Sequence, residues 1–158
     1  AVTTERNVLR NQLDRMRGGS SEQFKLVPRV EKIEVSGYSG LREGKPQLAD
    51  SPTTQAAVEL FARVYVVATD QDGFRIRPGG RLKIAMFDLS GDRPRSLGSY
   101  DFPPADALRH YRASVGKGQF AVDLPLTARP GGDVTVRVEL QDLFTGKVIT
   151  AQGLLKRP

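Results

Sequence analysis

The sequence predicts an antiparallel β-sandwich of about seven strands, Ig-like or C2-like, with one short inserted helix and an N-terminal helix. Three observations carry this. From Phe24 onward, apolar residues alternate with polar ones rather than recurring at helical spacing. Clusters of Gly, Pro, Asp and Ser interrupt the alternation at hairpin-like intervals. The strand-like runs follow one another without long helices between them, so there is no βαβ rhythm and no parallel sheet.

The first segment, residues 1–17, reads as a helix. Thr3 or Thr4 can cap its first turn, Glu5 suits the positive end of the helix dipole, and Arg15 and Arg17 suit the negative end. Its apolar positions Val2, Leu9, Leu13 and Met16 fall seven, four and three apart, with Arg6 intruding at a core position of the heptad. Two heptads are too few to stand alone. The spacing fits either the end of a longer coiled-coil stalk, with Leu9, Leu13 and Met16 as oligomerisation residues, or a helix packed on its own domain. Residues 18–23, opening Gly18-Gly19-Ser20-Ser21, have hinge composition and favour a helix separate from the sandwich at 24–158.

Val30 to Val35 is the first strand, with Ile33 and Val35 on one face. Gly37 to Thr54 carries Gly, Pro and Ser at short intervals and reads as a long loop. Val58 to Thr69 is the strongest strand, and Asp70-Gln71-Asp72-Gly73 turns the chain into Arg81 to Leu89, with Leu82, Ile84 and Met86 on one face. A short strand over Leu97 to Phe102 precedes Pro103-Pro104, which opens a short helix carrying Ala107, Leu108 and Tyr111. Gln119 to Leu124, Asp133 to Asp142 and Val148 to Leu155 complete the set, separated by Pro130-Gly131-Gly132 and Phe144-Thr145-Gly146-Lys147.

Composition limits the chemistry. The chain has 158 residues, 39% hydrophobic and 27% charged, which is a folded domain with a real core. No window approaches the ~18 consecutive apolar residues of a membrane span. The absence of Cys removes disulfides, cysteine nucleophiles and cysteine-based metal sites, and the single His110 leaves no histidine pair for a transition metal. No G-x-S-x-G elbow accompanies His110, which is expected at the surface or its boundary, so no catalytic residues are assigned. The chain begins Ala1-Val2, and a targeting signal is expected upstream of that start.

The net charge of +6 favours anionic partners, although acids are interleaved along the whole chain. The densest basic group is Arg75, Arg77, Arg81 and Lys83, and Arg63 with Tyr65 lies on one face of the preceding strand. Together these six form a conceivable cationic strip with a stacking ring, the mixture that single-strand nucleic acid prefers, set against solvated outer-face residues of a sandwich. Asp70 and Asp72 are weak candidates for a cation such as calcium, joined by Asp88 and Asp92 only if that loop lies at the same end. Phe74 stands where the EF-hand pattern needs a ligand-loop residue and no Glu follows, so a plain Asp-Gly turn is the expected reading. Gly79-Gly80 and Gly131-Gly132 precede strands rather than helices, which makes them turn residues and not phosphate cradles.

The order of segments also matters. Leu9, Leu13 and Met16 precede a hinge; Val64 to Ala68 runs into Asp70-Gln71-Asp72-Gly73; Pro78-Gly79-Gly80-Arg81-Leu82-Lys83-Ile84 ends in Phe87-Asp88. Gly98-Ser99-Tyr100-Asp101-Phe102 and Gly116-Lys117-Gly118-Gln119-Phe120 follow, and a Gly146-Lys147 turn precedes the last strand. In this order the chain resembles a group of envelope proteins of planctomycete-type bacteria, in which a lipoprotein-style start and a coiled coil precede a small β-sandwich. The stretch from Asp70 to Gly80 is similar to turns in carboxypeptidase-regulatory-like and C2-like sandwiches. The chain departs from the pattern at Tyr100, where Trp is expected, and any lipid-bearing cysteine would lie upstream of Ala1.

The resemblance implies an extracytoplasmic or periplasmic, lipid-anchored location. The leading expectation is a non-enzymatic module without cofactors, a β-sandwich on a helical stalk, contacting a protein or envelope polymer and forming homo-oligomers through the helix. The alternatives are a nucleic-acid or anionic-polymer binding domain using Arg75, Arg77, Arg81 and Lys83, and calcium-dependent lipid binding through Asp70 and Asp72.

Overall fold

A computed structural model describes residues 6–8, 27–46, 59–113 and 117–158. Residues 6–8 are helical and exposed. Leu9, Leu13, Met16 and the hinge at 18–23 lie outside the described residues.

Two antiparallel sheets pack face to face. One is built from β1 (Val30–Val35), β2 (Gly40–Gly44), β3 (Glu59–Asp70), β6 (Tyr111–Arg112) and β7 (Gln119–Pro125), in the order β1-β3-β7-β6 with β2 also paired to β3. The other has the order β5-β4-β8-β9, from β4 (Gly80–Asp88), β5 (Arg95–Phe102), β8 (Val134–Asp142) and β9 (Val148–Leu155). A six-residue helix, α1 (Pro104–Arg109), joins β5 to β6. Among the described residues the strand count is therefore nine rather than about seven. The chain crosses between sheets from β3 to β4 and from β7 to β8, so the central pairs β3·β7 and β4·β8 interlock, as in immunoglobulin-type sandwiches.

Period-two alternation explains the core. Leu82, Ile84 and Met86 of β4 lie beside Val134, Val136, Val138 and Leu140 of β8 on one face of their sheet, all fully buried, and meet Ala62, Val64 and Val66 of β3 and Phe120, Val122 and Leu124 of β7. Each of these side chains larger than Ala62 contributes about 1.5–3 kcal/mol on burial. In β1 the buried residues are Val30 and Ile33, three apart, because the register shifts between Val30 and Lys32.

The expected loop over Gly37 to Thr54 contains a strand, β2. Gly and charged residues surround Leu41 there, so no alternation signals it; pairing to the edge of β3 and complete burial of Leu41 make it one. β1 and β2 pair with successive halves of β3, and the kink between them is closed by Ser39. Its hydroxyl accepts the Tyr65 N–H at 2.9 Å and donates to the Tyr65 carbonyl at 3.4 Å, standing in for a missing strand neighbour.

The short helix begins at Pro104 as expected, but Tyr111 belongs to β6 rather than to its face. His110, expected near the surface, is 3% exposed. It is the C-cap of α1; its carbonyl accepts the Ala121 N–H at 2.9 Å, and its ring lies edge-on to Phe102 at 5.0 Å. Docking α1 onto the sandwich turns the residue inward. Among the described residues no helix is long and apolar enough to cross a membrane.

Candidate binding surface at the loop end of the sandwich

The end of the sandwich where β3 finishes and β4 starts also holds the entry to β1, the approach from β6 to β7 and the turn from β8 to β9. Two buried carboxylates build its turns. Asp70 Oδ1 accepts the backbone N–H groups of Asp72 and Phe74, each at 2.9 Å, and Gly73 completes the turn at φ +84°. Asp142 repeats the device: its Oδ1 accepts the Phe144 N–H at 3.2 Å and its Oδ2 the Thr145 hydroxyl at 2.9 Å.

The loops are laced together. Leu143 N–H donates to the Gly79 carbonyl at 2.9 Å. The Gln71 side-chain amide grips the entry to β1, accepting the Arg29 N–H and donating to the Val27 carbonyl, both at 3.0 Å. Tyr111 Oη donates to the Ile76 carbonyl at 3.3 Å, and the Arg77 guanidinium sits over the Tyr111 ring at 5.9 Å. Burial raises the Tyr111 hydroxyl above its usual range, and Arg77 and Arg75 partly oppose this. Between Val27–Val30, Ile76–Gly79 and the β8–β9 turn lies a cleft of about 200 Å³.

This end is also apolar at the surface. Of the ten large hydrophobic side chains exposed among the described residues, five are here: Val27, Phe74, Leu143, Phe144 and Val148. Phe74 is 71% and Phe144 56% exposed. Turn positions normally carry polar residues, so an aromatic inside each of two turns is the signal sequence reasoning passed over.

The six residues of the expected basic strip occupy three places. Arg75 and Arg77 are at the loop end. Arg63 and Tyr65 face outward from the sheet containing β3, where Arg63 makes a two-pronged pair with Asp123, Nε to Oδ1 at 2.9 Å and Nη2 to Oδ2 at 3.1 Å. That carboxylate side chain is 0% exposed, and its hydrogen bonding is the main reason the Arg63 guanidinium is held above its ordinary value. Arg81 and Lys83 face outward from the other sheet. Arg81 bonds Asp101 at 2.8 Å, and Lys83 lines a shallow depression of about 60 Å³ with Glu139 and Gln141. Adjacent in sequence, these residues are separated by the alternation of strands and the crossing from β3 to β4.

The two halves of the calcium candidate are also apart. Asp88 closes β4 at the opposite end from Asp70, nine residues or roughly 26 Å along the strand. There the Asp88 carboxylate accepts Ser90 Oγ at 2.6 Å, Gly131 N–H at 2.7 Å, Ser90 N–H at 2.9 Å and Arg95 Nη2 at 3.1 Å. These donors, the Ser90 hydroxyl foremost, hold it well below the usual carboxylate range. Among the described residues no group of three or more His, Asp or Glu could hold a metal ion.

No family model matches the chain, and no curated protein or solved structure matches it either. The chemistry of its own residues therefore carries the functional reading.

Proposed function

We propose that the chain is a non-enzymatic, extracytoplasmic binding or structural module that contacts a protein or envelope polymer through the loop end of its sandwich. The observation that carries this is the gathering of exposed apolar side chains on loops already fixed to one another by hydrogen bonds. A pre-formed surface loses little conformational freedom on binding. The non-enzymatic part draws on the use of the acids: Asp70, Asp88 and Asp142 hold turns, and Asp123 holds Arg63. The N-terminal segment 1–17 serves as the stalk in this reading, and the resemblance to envelope proteins supplies the location.

Protein is favoured over nucleic acid as the partner. Of the five cations in the expected strip, Arg63 and Arg81 already pair with carboxylates, and Lys83 lies beside Glu139. The calcium reading needs Asp70, whose Oδ1 is occupied by two backbone N–H groups.

Site-specific photo-crosslinking in the producing cell tests the reading. A benzophenone side chain at Leu143 is expected to yield a discrete adduct, and one at Leu154, exposed on β9 near the opposite end, is not. Adducts at both positions alike, or at Leu154 alone, would refute the assignment of the loop end.

A further inference from the structure

Resting on the loop-end reading, we infer that the cleft takes an acidic polypeptide segment, seating one apolar side chain between carboxylates held by Arg29 and Arg77. At about 200 Å³ the cleft is below the roughly 300–1,000 Å³ of sites that enclose a small molecule. It suits one side chain of a larger partner. Its apolar walls are Val27, Pro28, Ile76, Pro78 and Phe144.

The lining also decides what kind of polymer fits. Among the described residues it contains no hydroxyl and no side-chain amide, so it offers few acceptors for sugar hydroxyls. Its polar side chains are Arg29, Arg77 and Asp142. Asp142 is buried and turned into its own turn, accepting the Phe144 N–H and the Thr145 hydroxyl. The charge presented outward is therefore that of the two arginines. Among the described residues the Arg29 guanidinium approaches the exposed Glu31 no closer than 3.9 Å, and the guanidinium of the exposed Arg77 lies over the Tyr111 ring rather than against a carboxylate. Paired guanidinium groups bind carboxylates through two parallel hydrogen bonds. An apolar slot between two such groups matches a peptide in which acidic residues flank a leucine or a phenylalanine.

The test uses the isotopically labelled full chain and three blocked heptapeptides. In the first, Leu stands between two runs of three Glu; the second has Glu throughout; the third keeps Leu but replaces Glu by Gln. The first peptide is expected to shift the amide resonances of Arg29, Ile76, Arg77 and Phe144, with the other two binding roughly tenfold more weakly. The double variant Arg29→Ala, Arg77→Ala should weaken the first peptide by a similar factor and flatten its salt dependence while leaving Tm unchanged. Phe144→Ser should weaken the Leu-containing peptides but not the all-Glu one.

Equal binding of the first two peptides would reduce the site to unspecific attraction of anions and overturn the inference. So would a stronger response of the same amides to polyuridylate, or no response to the first peptide. A Leu143 adduct in cells together with silence toward the peptide would sink the partner chemistry alone. Loss of both would sink the loop-end reading with it.

Discussion

Asp88 ties four donors, from two loops and the first residue of β5, to the end of β4, and its ionisation is linked to folding. Its folded carboxyl ionises more readily than an ordinary one, near 3.9. The stabilisation is therefore fully present above that value and is lost as the pH falls through the lower, folded one. Asp88→Asn should lower the denaturation midpoint at neutral pH, and the gap between variant and parent should shrink below about pH 4. A gap independent of pH would show that the charge is not what matters. The Arg63–Asp123 pair makes a different prediction. Arg63→Met leaves a fully buried carboxylate without its guanidinium and should cost about 2–4 kcal/mol, somewhat less than a wholly buried pair because Arg63 keeps some solvent contact. Adding Asp123→Leu should recover most of that loss in a urea titration, since the pair's desolvation largely offsets its attraction.

Among the elements, the strands most legible in the sequence were β4 and β8, buried on one face by strict alternation, because Leu82-Ile84-Met86 and Val134-Val136-Val138-Leu140 can satisfy only one pleat. β7, buried on both faces, and β9 also lie within a residue or two of their expected bounds. β2 was illegible because its strand character comes from β3 and from the Ser39 hydroxyl, neither of which its own residues announce. The seam where β9 meets β1 was equally hidden. A Cβ at Gly153 would lie 2.7 Å from Val35 Cγ1, so the close approach of the two sheets there depends on a missing side chain. Gly153→Ala is expected to destabilise by about 1–3 kcal/mol, an overpacking cost larger than the helix- or strand-propensity difference would give. A neutral result in thermal unfolding would mean that β1 shifts freely across β9.

For the whole molecule, the interlocked pairs β3·β7 and β4·β8 account for a sandwich that should fold without its N-terminal segment. Removal of residues 1–21 is expected to leave the far-ultraviolet strand signal and Tm within a few degrees of the full chain, while any oligomer seen in sedimentation is lost. Unfolding on truncation would place the helix in the core instead. The same architecture brings together Val27, Ile76, Arg77 and Phe144, which are scattered over more than a hundred residues of sequence. Strand crossings send Arg63, Arg77 and Arg81 to three surfaces despite their proximity along the chain.

The sequence by itself determined the class of fold, the identity of the main core residues and the turn at Asp70 to Gly73. Each follows from a local rule: alternation selects one buried face, and an aspartate followed by glycine closes a turn. Only the tertiary structure decided the second edge strand, the inward position of His110 and the composition of the loop end. Those depend on which strand lies beside which, and pairing between distant segments is written in no single stretch of the chain.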